Sequence, residues 1–188
     1  ICQLFSGYDI KIIDADIIAH QLVKAGQSCL DKIIDVFGKH VLLENGELDR
    51  VQMRELIFSD RNAKQQLEGI LHPNIRQQLL KQSEDVLSPY CILSIPLLIE
   101  ADMLSLVDRV LIVDVDEKKQ IDRVCQRDNV SSTQAQAIIN SQISAAQRKS
   151  IADDIIINND SQDNLALKVA NLHKKYLQLV NDQAIGCQ

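Results

Sequence analysis

Asp14 and Asp16 stand two residues apart at the end of a short β-branched run, Lys11-Ile12-Ile13-Asp14, and a helical pattern begins at once. Carboxylates so placed can serve a metal, a proton transfer or a ribose hydroxyl, because each carries charge and accepts several hydrogen bonds. Equally, one of them can cap the helix that starts there. In open α/β sheets, reacting groups collect at the carboxyl ends of strands, which is where this pair falls. A second group is cationic. Arg123 and Arg127 lie four apart on one helix face, and Arg148 and Lys149 follow at the far end of a polar segment. Arginines bracketing a lid suit phosphate, since a closing lid carries charge to a transferring phosphoryl group. The plainer alternative is a solvated helix face pairing with Asp122 and Asp128. Glu100 suits a metal-bound water, a substrate group or a solvent-facing loop. His72 beside Pro73 suits a substrate contact or a packing feature, and Asn158 a base contact or a turn.

These residues need elements to hold them. Residues 1–5 read as the end of a helix closed by Gly7 in the left-handed conformation. A strand is expected over 10–16, then a helix over 16–23 ending near Gly26, then a helix capped by Ser28 that buries Leu30, Ile33, Ile34 and Phe37 and ends at Gly38. Glu44-Asn45-Gly46-Glu47 is a turn, and Asp49 with Gln52 opens a helix through Phe58. Asp60 starts another helix, which His72-Pro73 is expected to break, with a separate helix over 73–87. Apolar runs over 90–98 and 109–115 read as strands covered on both faces, and Asp116 caps the helix carrying Arg123 and Arg127. Residues 131–149 read as a polar helical hairpin that buries little and should move easily. Residues 154–158 form a fourth strand, 163–180 a helix burying Leu165, Val169, Leu172, Tyr176 and Leu179, and 184–188 a tail. Strands separated by helices require crossovers and a parallel sheet, so the class is α/β.

Composition narrows the partners. The 188 residues fit one domain with a small appendage, and 46% hydrophobic content supports a globular fold. Aromatics at 3%, no Trp and a net charge of −6 speak against nucleic acid, while a phosphorylated small molecule remains compatible if a few cations converge. The five cysteines lack C-x-x-C spacing, and their odd number argues against a disulfide framework and for a reducing cytoplasm. His20, His40, His72 and His173 show no zinc-ligand spacing, so no protein-held zinc site is expected, and no residue is assigned to a metal. The longest apolar run, around 91–99, is too short to span a bilayer, and no signal peptide is visible. The chain opens on Ile1 rather than Met, so a longer natural chain is expected.

Seven separated motifs then agree with one family. Ile13-Asp14-Ala15-Asp16-Ile17-Ile18-Ala19, Gly46-x-Leu48-x-Arg50, Leu71-His72-Pro73-x-Ile75, Pro96-Leu97-Leu98-x-Glu100, Val113-Asp114-Val115, Gln126-Arg127-Asp128 and Ala152-Asp153-Asp154-Ile155-Ile156-x-Asn158 follow in order and spacing. Over residues 1–179 the chain resembles dephospho-CoA kinase. The resemblance implies transfer of the ATP γ-phosphate to the ribose 3′-hydroxyl of dephospho-CoA, the last step of coenzyme A synthesis, with Mg²⁺. It implies a five-stranded parallel P-loop kinase core with a helical substrate domain and a helical lid. The core would comprise 1–27, 88–128 and 150–188, the acceptor-binding domain 28–87 and the lid 129–149.

On that mapping Asp16 matches the catalytic base, with Arg123 and Arg127 also catalytic. Asp14, His72, Pro96, Leu97 and Glu100 match the acceptor side, and Arg127, Arg148 and Asn158 the nucleotide side. The family opens with a strand and a Gly-rich phosphate loop, yet no G-x-x-x-x-G-K-[ST] occurs in the sequence, and residues 1–5 match the helix just after it. Truncation is therefore the expected explanation. Two alternatives stand beside the kinase: a non-catalytic fragment that binds a CoA precursor or acts as a scaffold, and another P-loop nucleoside-phosphate kinase.

Overall fold

A five-residue helix, α1 (Cys2–Ser6), opens the computed structural model, which describes residues 1–159 and 162–186. Gly7 does not close it in the left-handed conformation; its φ is −65°, and the left-handed turn falls instead on Asp9, at φ 58°. The chain then divides into two compact units, Lys11–Pro96 and the combination of Ile1–Ile10 with Leu97–Gln188.

In the unit Lys11–Pro96, β1 (Lys11–Asp14) pairs in parallel with β2 (Cys91–Ser94), Lys11 opposite Cys91 and Asp14 opposite Ser94. Parallel neighbours cannot be joined by a tight turn. The long crossover holds α2 (Ala15–Leu22), α3 (Ser28–Phe37), a 3-10 turn at Lys39–Val41, α4 (Arg50–Ser59) and α5 (Arg61–Glu84). Val23, Ile33, Val41, Met53 and Leu67 form its buried core, with Phe37, Leu48, Leu56, Ile57, Ile70 and Leu71 packed around them. Asp49 accepts from the Val51 and Gln52 amides and Asp60 from the Asn62 amide, as the sequence predicts for two helix starts. The cap expected at Ser28 is absent: Gln27 is the N-cap residue and makes no side-chain cap bond, so Ser28 becomes the first helical residue.

The expected break at His72-Pro73 does not occur. α5 runs unbroken from Arg61 to Glu84 with Pro73 inside it. Pro73 supplies no N–H to the Gly69 carbonyl, and its ring crowds that carbonyl. The Asn74 side chain offsets part of the disturbance by donating to the Ile70 carbonyl at 2.7 Å. Ile75 and Leu79, both buried, hold the following turns in place, so tertiary packing overrides the local preference. A helix-interior proline still costs stability. Pro73→Ala is expected to stabilise the fold by about 1–2 kcal/mol, read as a raised midpoint in urea unfolding; an unchanged or lowered midpoint would mean that α5 is fully adapted to the proline.

In the other unit, β3 (Leu111–Asp114) pairs in parallel with β4 (Asp154–Ile157), Leu111 opposite Asp154 and Asp114 opposite Ile157. Between them lie α6 (Glu117–Asp128), α7 (Ser132–Asn140) and α8 (Ala145–Ser150), and α9 (Gln162–Gly186) follows. α1 packs on α9, with Phe5 stacked against Tyr176 and Tyr8 against His173. Phe5, Met103, Ala135, Ile156 and Val169 are its most buried apolar residues. Of the stripe expected on α9, Val169 is fully buried, while Leu165, Leu172, Tyr176 and Leu179 are half-buried. The helix also continues through the expected tail as far as Gly186; residues 187 and 188 lie outside the described residues.

All four strands are shorter than the spans expected of them. β1 stops at Asp14 because that side chain turns to cap α2, and β2 stops at Ser94, two residues before Pro96, whose missing N–H cannot enter a ladder. Residues 97–101 therefore form turns, not strand. The resemblance implies five strands; the described residues supply four, as two parallel pairs.

Candidate functional site

The expected site residues divide between the two units. Asp14, Asp16, His72 and Pro96 belong to Lys11–Pro96, and Leu97, Glu100, Arg123, Arg127, Arg148 and Asn158 to the other.

In the first unit the register of β1 and β2 ends both strands side by side, so Asp14 and Ser94 face one another at the carboxyl edge. The two aspartates part company there. Asp14 is the N-cap of α2, its Oδ1 accepting from the Asp16 amide at 2.9 Å and the Ile17 amide at 3.2 Å. Asp16 sits in the first helical turn, exposed, and its carboxylate has no hydrogen-bond or ion-pair partner among the described residues. Alternation along a strand therefore does not relate the two, since the strand has ended before Asp16. His72 is half-buried within α5, and Pro96 is exposed just beyond β2.

In the second unit the cationic residues gather around α6, α7 and α8. Arg123 and Arg127 line a groove of about 460 Å³ together with Val115, Val124, Ile138 and Gln142. Their states differ. Arg127 is held by its neighbour Asp128 through Nε to Oδ1 at 2.9 Å and Nη2 to Oδ2 at 2.7 Å, and this hydrogen bonding raises its pKa further. Arg123 has no hydrogen-bond or ion-pair partner among the described residues, so the surface pairing expected with Asp122 does not form. The apolar residues Val115, Val124 and Ile138 with one unengaged guanidinium make a surface suited to a planar or anionic group.

Glu100 and Arg148 meet at one residue of the α7–α8 loop. Glu100 Oε1 accepts from the Ile143 amide at 3.2 Å, and Arg148 Nη1 donates to the Ile143 carbonyl at 2.6 Å. Lys149 places Nζ 2.7 Å from Asp114 Oδ2 at the carboxyl end of β3. The Asp114 carbonyl in turn accepts from the Asn158 amide at 2.7 Å, so Asn158 stands at the adjoining end of β4. Leu97 is exposed in the turn before Glu100.

Two features escape a reading of the sequence. One is the partner of Lys149, for a lysine near Arg148 carries no sign of an aspartate 35 positions earlier. The other is the pair of capping boxes, Ser131 with Gln134 and Ser144 with Gln147, that open α7 and α8. That second signal was available as S-x-x-Q, twice.

The described residues bring no three His, Cys, Asp or Glu side chains together as a metal-binding group. Nor is any described helix long and apolar enough to cross a membrane. Among the described residues Cys2, Cys29, Cys91 and Cys125 are not joined in disulfides, and burial raises the pKa of Cys29; Cys187 lies outside the described residues.

Comparison with known proteins bears on the whole arrangement. A family model described as dephospho-CoA kinase matches residues 1–164. Dephospho-CoA kinase of Photobacterium profundum is 43% identical over 179 residues, 95% of this chain and 90% of the relative. That of Aeromonas hydrophila is 41% identical over 185 residues, 98% of this chain and 91% of the relative. A Thermus thermophilus crystal structure, TT1252, shares the fold at a TM-score of 0.76 and 24% identity, covering 91% of this chain and 88% of that one. The dephospho-CoA kinase of Campylobacter jejuni superposes at a TM-score of 0.61 and 26% identity, covering 99% and 90%. With the family model matching residues 1–164 and relatives above 40% identical over nearly the whole chain, the chain belongs to the dephospho-CoA kinase family.

Proposed function

We propose that this chain transfers the γ-phosphoryl group of ATP to the ribose 3′-hydroxyl of dephospho-CoA, giving coenzyme A and ADP. The observation that supports it most, beyond family membership, is the separation of roles between Asp14 and Asp16. One carboxylate is spent on a helix cap, and the next is exposed and unengaged. Asp16 orients the acceptor hydroxyl and takes its proton, which leaves as the P–O bond forms. Arg123 and Arg127 hold the transferring phosphate, with Arg127 giving up Asp128 to do so, and Arg148 and Asn158 contact the nucleotide. Asp14, His72, Pro96, Leu97 and Glu100 serve the acceptor side. In this reading 28–87 is the acceptor-binding domain, 129–149 the lid, and 1–27, 88–128 and 150–188 the core. The polar hairpin supports a lid, since α7 buries only Ala135 and α8 buries nothing.

Mg²⁺ suits the reaction as an ion carried on the triphosphate, where it neutralises charge and keeps most of its water. The acidic balance supports small-molecule substrates over nucleic acid, and an odd number of cysteines without C-x-x-C spacing supports a cytoplasmic setting.

Coupled ADP release, measured on the full-length protein with ATP and dephospho-CoA, tests the proposal; turnover that needs dephospho-CoA is expected. ATP hydrolysis indifferent to the acceptor, or transfer to a simple nucleoside instead, would overturn it. Arg123→Ala is expected to raise the KM for ATP about 10- to 100-fold, the value of a charge-assisted hydrogen bond. Arg127→Ala should do less, because its charge is already shared with Asp128. Equal effects, or none at Arg123, would remove the groove from the nucleotide site.

A further inference from the structure

α8 has six residues and buries none of them. A helix that short has no stability of its own in water, and without a buried side chain the core does not fix it in place. Its position must come from polar ties, and two are visible. At its N-terminal approach the Ile143 amide and carbonyl are taken by Glu100 and Arg148. At its C-terminal turn Lys149 reaches Asp114, whose side chain is 21% exposed against 46% for the lysine. Asp114 makes a firm anchor because its backbone lies in the β3–β4 ladder and its carbonyl holds the Asn158 amide. The first tie is made to the loop that leads into the helix. The second joins the helix to the sheet.

We infer that Lys149 is a positioning residue: its ion pair with Asp114 sets the last turn of α8 against the carboxyl end of β3, and thereby sets where the adjacent Arg148 stands for the nucleotide. This rests on the proposed assignment of Arg148 to the nucleotide side. A lysine in a last helical turn also interacts with the helix dipole, but that effect is independent of Asp114. Positioning through the pair is not, so the two readings differ in how substitutions at 149 and 114 combine.

ATP binding by titration calorimetry on the full-length protein needs no turnover, so it reads the pair whether or not dephospho-CoA proves to be the acceptor. Lys149→Ala and Asp114→Ala are each expected to weaken ATP binding about 5- to 20-fold, because a displaced Arg148 forfeits much of one charge-assisted hydrogen bond to the nucleotide. The double variant should bind like either single one, and Lys149→Arg should stay within about twofold of the unmodified protein. The KM for dephospho-CoA should stay unchanged throughout. Lys149→Met, which keeps the aliphatic stem and removes the charge, guards against a packing defect and should match Lys149→Ala. Three results would overturn the inference: single variants that bind ATP normally, a double variant whose loss is the product of the two, or a parallel rise in both substrate constants. Failure of dephospho-CoA turnover with the ATP coupling intact would count against the acceptor alone.

Discussion

Asp16→Asn in the full-length protein should cut turnover by about 10² to 10⁴ while leaving ATP affinity nearly unchanged. The substitution keeps the shape of the side chain and removes its basicity. Phosphoryl transfer relies on positioning and electrostatics, so one carboxylate that both aims the 3′-hydroxyl and accepts its proton carries a large part of what the protein supplies. Asp14 gives the contrast. Its Oδ1 already accepts two amide hydrogen bonds, from Asp16 and Ile17. Asparagine offers the same oxygen and is an equally good cap, so Asp14→Asn should change stability little; Asp14→Ala should cost about 0.5–2 kcal/mol. It would also loosen the first turn of α2, which carries Asp16, so some turnover would be lost through geometry. Near-normal turnover in Asp16→Asn at saturating substrates, with loss in a folded Asp14→Asn, would reverse the two roles.

That distinction was only half legible in the sequence. The D-x-D spacing marks a strand end and a helix start, yet it does not say at which residue the ladder stops. An aspartate that caps a helix ends its strand, and Asp14 is both the last pair of the β1–β2 register and the cap of α2. The caps at Asp49, Asp60 and Asp116 were legible for the same local reason: each is followed by a regular helical pattern with nothing competing. Pro73 was misleading because the forces that keep α5 intact are not local. They come from Ile75 and Leu79 packing below the proline, and from the Asn74 amide reaching the Ile70 carbonyl. The arginines were legible as a group, being four apart on one face. Which of them is free was not, because Arg127 with Asp128 and Arg123 with Asp122 look alike in sequence, and only the first pair closes.

Asp154 carries the other large effect, and it concerns stability. Its side chain, only 9% exposed, is met by Arg109 Nη2 at 3.1 Å, by Lys175 Nζ and by the Tyr176 hydroxyl at 3.2 Å. One carboxylate thus ties the start of β4 to the approach to β3 and to α9. Burial pushes its pKa up, but the hydrogen bonds from Lys175 and Arg109 and their charges outweigh burial and hold it below the ordinary value of 3.8. A group with a depressed native pKa contributes stability that is complete above its unfolded value and is lost as pH falls through the native one. Losing one partner of a buried charge pair costs about 3–5 kcal/mol, and of an exposed pair about 0–1. Arg109 at 34% exposed and Lys175 at 45% lie between those limits. Asp154→Asn should therefore destabilise the fold by about 1–3 kcal/mol at neutral pH, part of it from leaving Arg109, whose buried Nε already lacks a partner, less well satisfied. The difference between the two proteins in urea unfolding should hold steady down to about pH 5 and then shrink as the native carboxylate protonates. A gap that stays constant to the acid limit, or widens, would show that Asp154 acts by shape rather than by charge.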